Sequence, residues 1–351
     1  MTAMERVRVG IVGSKFAATL HVQAYRTNPH AQIVAAASPG PDLARFCREH
    51  DIPSFYSDYQ EMLKRAEIDL VDVCVPNFLH KEVAVAAAES GRHVIVEKPL
   101  ATTLEDADAM LEACAGNNVK LMYAEDWIFA PALQRAKSIR DEGGIGEVLY
   151  IKAKETHSGS HSPYAQKIKF CGGGAMIHMG IHAVGFVRWF RGKEVVEVVG
   201  KTSGGGAGNL KLHSLEGEDW AAGVLTFEDG TFAMVEGNYI TLGGLDDEVE
   251  VYGTRGLIKI NLSQGSPISI YSSEGYGYAL EKAETTKGWT RPSVEEKWSL
   301  GYPQEISHFV DCVRLGKEPM SGVRDEDGRA ALKIVMAIYD SARTGRSVEL
   351  C

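Results

Sequence analysis

The sequence predicts an α/β N-terminal Rossmann domain followed by an α+β C-terminal domain, and three observations carry that prediction. Short apolar runs rich in β-branched residues alternate with helical spacings over the first third of the chain, which is the pattern of βαβ units around a parallel sheet. These runs are apolar at consecutive positions, as strands covered on both faces are. After Tyr123 the pattern changes to segments of strand character separated by short turns, with helices closing the chain.

Val7 to Gly13 reads as a first strand entering a tight turn, and residues 16–25 have helical spacing. Residues 33–37 form a second strand, broken by Ser38-Pro39-Gly40-Pro41, after which Asp42 suits the N-cap of a helix over 43–50. A short helix over 59–64, a third strand over 70–75 stopped at Pro76-Asn77, and an Ala-rich helix over 81–90 closed by Gly91 follow. The next strand, His93-Val94-Ile95-Val96-Glu97-Lys98-Pro99, ends in an acid, a lysine and a proline. The proline removes a backbone donor and pushes Lys98 towards extended backbone. Ligands of open α/β sheets sit outside the carboxyl ends of the strands, where Glu97 and Lys98 then stand. Thr103 with Asp106 has the spacing of a capping box for a helix running to about 115, and 119–123 is a further strand.

In the second half, Glu125 to Pro131 leads into a helix over 132–142, then a strand over 148–155, and the segment 172–191 contains a helix. Strand character recurs at 194–202, 219–227, 231–239, 247–252, 256–262 and 268–271, with Glu228-Asp229-Gly230 as a hairpin signal. The glycine-rich 203–208 reads as a flexible exposed loop, and 304–315 and 325–344 as closing helices. The expected division is a nucleotide-binding domain over 1–124 and a substrate-binding and oligomerisation domain over 125–351, with the helices from about 303 packing back on the first.

The 351 residues suffice for two domains, and 44% hydrophobic with 24% charged residues is an ordinary globular composition. A formal net charge of −10 argues against a nucleic-acid partner. No apolar run approaches the roughly 18 residues of a membrane span. The six cysteines form no Cys-x-x-Cys pair, which with the lack of a signal-peptide core points to a reduced, cytoplasmic protein.

Around the first turn, Gly13-Ser14-Lys15-Phe16-Ala17-Ala18 keeps only the first glycine of a dinucleotide fingerprint; Lys15 and Ala18 occupy the other two glycine places. Lys15 either pairs with a phosphate or points to solvent. Ser38 stands where an acid would bind a ribose hydroxyl, so NAD and NADP are nearly level as cofactors. Four residues separate His157 from His161 in a polar segment. They read as donors to a sugar-like substrate, as a solvated loop, or as part of an imidazole metal site with Glu155; no metal ligand is assigned.

Gly10-x-x-Gly13 with His21 downstream, Val75-Pro76-Asn77-x-x-His80, Glu97-Lys98-Pro99, and Gly172-Gly173-Gly174-x-x-x-His178-x-Gly180-x-His182 together resemble the glucose–fructose oxidoreductase/inositol dehydrogenase/rhizopine catabolism (Gfo/Idh/MocA) family over essentially the whole chain. The resemblance implies a second domain built on an open, mostly antiparallel sheet that makes homodimer or homotetramer contacts. It also implies NAD- or NADP-dependent oxidation or reduction of sugars, inositols and related polyols. Lys98 matches the lysine that contacts substrate hydroxyl and cofactor, His182 the acid/base histidine, and Pro76 and Asn77 residues lining the nucleotide. With Gly13, Ser14, Lys15, Phe16, Ala17, Ser38, His80, Glu97 and Lys98 these make the expected cofactor set. Lys98, Trp127, His157, His161, His178 and His182 make the expected substrate set. His178 replaces the family's usual aspartate; at i, i+4 it is expected to share a helix face with His182 and to join Lys98 and His182 as a catalytic residue in the proton relay. A glycoside-cleaving enzyme using transient oxidation by NAD, and a non-catalytic cofactor-binding regulator, are the alternative readings.

Overall fold

In the computed structural model, residues 4–160, 162–263, 270–276, 285–290 and 296–350 are described; His161 and the start of the expected 268–271 strand lie outside them. The chain divides into two compact units, one made of residues 1–129 and 301–329, the other of 130–300 and 330–351.

The first unit contains β1 (Val7–Val12), α1 (Phe16–Tyr25), β2 (Ala31–Ala37), α2 (Leu43–Glu49), β3 (Ser54–Tyr56), α3 (Tyr59–Arg65), β4 (Leu70–Val73), α4 (His80–Glu89), β5 (His93–Glu97), α5 (Leu104–Gly116) and β6 (Leu121–Ala124). Its six strands pair in parallel in the order β3-β2-β1-β4-β5-β6. Val94, Ile95 and Val96 of β5 are wholly buried, as apolar runs at consecutive positions require. Thr103 Oγ1 accepts the Asp106 amide at 3.1 Å, the capping bond its spacing predicts. Two local expectations fail. The edge strand β3 was hidden by its three-residue length, and Asp42 does not cap α2 because its carboxylate is engaged by Lys15 and Arg45.

The second unit follows with α6 (Pro131–Asp141), β7 (Val148–Thr156), the one-turn α7 (Ile168–Cys171), α8 (Ile181–Arg191), β8 (Val195–Thr202), β9 (Trp220–Phe227), β10 (Phe232–Asn238), β11 (Glu248–Gly253), β12 (Gly256–Asn261), the pair β13 (Ile270–Ser272) and β14 (Gly288–Thr290), and α9 (Glu296–Leu300). The helix α10 (Tyr302–Arg314) belongs to the first unit, α11 (Asp325–Thr344) runs across the division after Arg329, and β15 (Val348–Glu349) ends the chain. The large sheet runs β12-β11-β7-β10-β9-β8-β15, antiparallel at every pairing except β7 with β10. One face is covered by α8 and α11. The Ile338 carbonyl of α11 lies so close to Gly200 that a Cβ there would stand 2.2 Å from it.

Tertiary contacts amend two further expectations. The glycine-rich 203–208 segment is exposed at Gly204, Ala207 and Gly208 as expected, but it is tied down at its start, where Asp219 accepts the Ser203 hydroxyl (2.8 Å), and just after it, where Asp219 accepts the amides of Leu210, Lys211 and Leu212 (3.0, 2.7 and 2.9 Å). The stretch Ile168–Arg191 is long and apolar enough in composition to cross a membrane, against the expectation of no such run, but 78% of its apolar window is buried inside the protein. Its interspersed glycines and histidines mask that apolarity in the sequence.

Candidate active site

At the end of β1, Gly13 has φ +128°, and a Cβ would stand 2.2 Å from the Cys74 carbonyl oxygen, so only glycine lets this turn pass the end of β4. Ser14 is buried, its hydroxyl 3.1 Å from that of Ser38, which ties together the carboxyl ends of β1 and β2. No side chain caps α1, leaving a helix start of the kind that receives a phosphate, with Phe16 exposed and Ala17 half-buried beside it. The cramped glycine turn and uncapped helix fit a dinucleotide. Lys15 is exposed, as the solvent-facing reading expects, and its ammonium pairs at the surface with Asp42 at 2.6 Å, which holds that carboxyl below its usual range.

Pro76 and Asn77 are half-buried at the start of a 3₁₀ turn beyond β4. His80 is buried and braces the site, with Nδ1 2.9 Å from the Pro99 carbonyl and Nε2 3.0 Å from that of Val75. Burial holds this imidazole below the ordinary histidine range. Glu97 closes β5: its Oε2 accepts the Lys98 amide at 3.0 Å and its Oε1 lies 3.0 Å from His21 Nε2. Lys98 is half-buried and precedes a cis-proline. Glu125, just after β6, is fully buried. Burial pushes its carboxyl up to about 8 although Lys98 pulls it down, and the Tyr123 hydroxyl donates to it at 3.4 Å. Trp127 is buried in the following turn.

In the second unit, the segment 172–191 contains a helix, as expected, but only its second half is regular. Gly172 (φ +91°) ends α7, Met176–Gly180 forms a π-helical turn, and only then does α8 begin. His178 therefore lies in the π turn and His182 in the first turn of α8, so regular α-helical i, i+4 spacing does not relate them. His178 Nδ1 lies 2.5 Å from the Tyr239 hydroxyl at the end of β10. His157 follows β7, is buried, and stacks on the other side chain of this group with ring centroids of His157 and Tyr239 5.6 Å apart. Its Nδ1 accepts the Gly159 amide at 3.0 Å, so the solvated-loop reading does not hold for His157. His182 is buried with Nε2 3.7 Å from Glu155 Oε2.

The glycines before the π turn serve packing. A Cβ on Gly173 would meet the Tyr339 hydroxyl at 2.4 Å, and one on Gly174 the Glu218 carbonyl at 2.1 Å. Glu218 Oε1 accepts the Met176 amide (2.8 Å) and the Tyr339 hydroxyl (2.9 Å), and the Tyr339 oxygen accepts the Ile177 amide (3.1 Å). Burial outweighs these bonds and pushes the Glu218 carboxyl up to about 7 from 4.5. The folded state therefore holds a proton that the unfolded chain releases between those values. Stability falls as pH rises through that window, by on the order of 3 kcal/mol in total. Glu218→Gln is expected to flatten this slope, which urea melts at about pH 5 and about pH 8 measure; an unchanged slope refutes it.

Glu125, His21 as a bridge, Tyr239, Glu218 and Tyr339 escaped sequence reasoning. Buried acids and tyrosines carry no local signature, and Tyr239 meets His178 across 61 residues.

Comparison with known proteins agrees with this architecture. Residues 7–125 match the profile of an oxidoreductase family with an NAD-binding Rossmann fold, and 137–350 that family's C-terminal alpha/beta domain. The chain is 29% identical to a Bacillus subtilis scyllo-inositol 2-dehydrogenase (NAD(+)), covering 98% of this chain and 96% of that one. It is also 29% identical to a D-apiose dehydrogenase of Paraburkholderia graminis, covering 99% and 91%. The crystal structure of GenD2 from gentamicin A biosynthesis, in complex with NAD, superposes with a TM-score of 0.91 at 26% identity, covering 100% of this chain and 98% of that one. The chain belongs to the Gfo/Idh/MocA oxidoreductase family, with that family's NAD-binding Rossmann fold followed by its C-terminal α/β domain.

Proposed function

We propose that the protein oxidises a secondary hydroxyl of a cyclitol or sugar to a ketone, and reduces the ketone in reverse. The observation that carries this is Lys98 at the carboxyl end of β5, its backbone held by Glu97. NAD, when bound, supplies the hydride acceptor at the carbon. Gly13 to Ala17 receive the pyrophosphate, Ser38 the ribose, and Pro76 and Asn77 line the nucleotide. Lys98 holds the reacting oxygen and stabilises its developing negative charge; His182 takes the hydroxyl proton, and Glu155 stabilises the imidazolium that results. His178 and His157 bind substrate hydroxyls with Tyr239 between their rings, and no step calls for a metal. The dehydrogenase names of the relatives support the substrate class. The test is NADH formation with scyllo-inositol, myo-inositol, D-apiose and levoglucosan, with the ketone measured alongside. Ketone and NADH in equal amounts are expected; substrate cleavage without net NADH overturns the reading.

The cofactor preference follows from the end of β2. Ser38 offers no carboxylate to a ribose hydroxyl, and the nearby Asp42 is paired with Lys15 and, at 3.3 Å, Arg45. Calorimetric titrations with NAD and NADP are expected to give similar affinities. A preference beyond about a hundredfold, ~2.8 kcal/mol, for either one refutes this.

A homodimer or homotetramer forms through the second unit's large sheet in this reading. Leu149, Val224 and Phe232 are exposed there on neighbouring strands, and light scattering after gel filtration tests it.

A further inference from the structure

Deep in the first unit, His21 of α1 stands between two acids from adjacent strands. Its Nδ1 lies 2.9 Å from Asp72 Oδ2 and its Nε2 3.0 Å from Glu97 Oε1. His21 and Asp72 are wholly inaccessible to solvent, and the Glu97 side chain is 12% exposed. A neutral imidazole has one N–H, which would leave a ring lone pair facing a carboxylate lone pair in a dry interior. At His80 the two acceptors are neutral carbonyls; at His21 they are two carboxylates, whose negative charge favours a donor on each ring nitrogen. The Cys74 thiol also faces the ring, its Sγ 3.6 Å from Nδ1, but Asp72 Oδ2 stands nearer at 2.9 Å and calls for the donor on that nitrogen. Cys74 beyond β4 is a thiol that burial keeps protonated, and its Sγ lies 3.3 Å from Asp72 Oδ1. Tyr25 one turn along α1 is buried, as is Glu305 in the first turn of α10, whose neighbour Tyr302 has its ring centroid 6.1 Å from that of His21. Burial raises the Glu305 carboxyl well above its ordinary value. Burial works against charge on His21 too, but Asp72 and the polar groups around it outweigh that and raise it well above the usual histidine range.

We propose that His21 is a positioning residue for Lys98: as an imidazolium clasped between Asp72 and Glu97, it fixes the Glu97 carboxylate whose other oxygen holds the Lys98 backbone. This rests on the reading of Lys98 as the residue that contacts the reacting oxygen. The links are continuous and each is a direct hydrogen bond: Asp72 to His21, His21 to Glu97 Oε1, Glu97 Oε2 to the Lys98 amide. Without the cation, Glu97 would be a buried anion with one fewer donor, free to turn away from Lys98 or to take up a proton. The arrangement uses second-layer hydrogen bonds to hold a reacting side chain within the small tolerance that catalysis demands.

The test uses the full chain. Histidine-selective ¹⁵N NMR at about pH 8, with His21 identified by its loss in His21→Gln, is expected to show protons on both ring nitrogens. A single N–H, or a metal-bound Nδ1, overturns the proposal. The second arm avoids an unpaired buried acid by using His21→Gln/Asp72→Asn, a neutral pair in place of an ion pair. With the fastest substrate of the panel above, its kcat is expected to fall about tenfold while KM for NAD stays within about threefold. Adding Glu97→Gln is expected to cost nothing further, because both changes break one chain of contacts. Wild-type kcat in the double variant, or losses that multiply, overturns the proposal. If the double variant does not fold, Glu97→Gln alone carries the kinetic arm, with the same tenfold loss of kcat expected and parent-like kcat overturning the proposal. Normal turnover by Lys98→Met would instead overturn the reading of Lys98, and it leaves the His21 charge state measurable on its own.

Discussion

Lys98→Met is expected to lower kcat by at least about 10²-fold, the scale on which a positioned group that stabilises charge or moves a proton contributes. The methionine keeps most of the side chain's length and apolar stem, and Lys98 is only half-buried, so the melting temperature should scarcely move. Cofactor affinity should weaken far less than kcat, because the lost interaction matters most when the hydroxyl oxygen carries negative charge. Steady-state kinetics with the fastest substrate, beside a thermal melt, check both halves. Turnover within about threefold of the parent in a folded variant ends the assignment.

His182→Gln is expected to cost about 10²- to 10⁴-fold in kcat, the range for losing a general base. His182 is buried in the first turn of α8 with Glu155 3.7 Å away, and Glu155 is itself buried at the end of β7. A carboxylate in that position favours the imidazolium formed when the ring accepts a proton, which an amide cannot form. Glutamine fills most of the volume, so the loss should appear in kcat rather than in the melt. Glu155→Gln should cost less, since the base remains while its support is gone. Added imidazole restoring turnover to His182→Ala would tie the loss to the missing proton acceptor. Parent-like kcat in His182→Gln removes His182 from the proton path.

Periodicity and breaker residues sufficed for most of the elements. The strands of the parallel sheet other than β3 announced themselves by consecutive apolar residues, and α1 and α11 have the bounds their spacing predicts. Hairpin chemistry at Glu228-Asp229-Gly230 marked the β9–β10 turn, where Gly230 takes φ +79°. Glu97 and Lys98 were legible as site residues because strand ends and prolines are local signals, and strand ends are where ligands collect in such sheets.

Local signals also misled. The segment 172–191 reads as containing one regular helix, but Gly173 and Gly174 are pressed against Tyr339 and Glu218, the chain enters a π turn at Met176–Gly180, and α8 begins only at Ile181. Lys15 reads either as a phosphate partner or as a solvent-facing side chain, and neither reading names Asp42, 27 residues on, which reaches it once β1 and β2 lie side by side.

From composition and spacing alone, then, come the alternating architecture, the glycine turn at Gly13, and the lysine at the end of β5. These depend on a residue's own backbone preferences and on its neighbours within a turn or a strand. Folding alone decides which buried acids keep or lose a proton and which imidazole is charged, because those depend on desolvation and on partners distant in sequence. Asp72 and Glu97 lie 51 and 76 residues from His21, and only the pairing of β4 beside β5 under α1 brings both onto one ring. Burial and opposite charge act over a few ångströms of space, and the sequence does not record that distance.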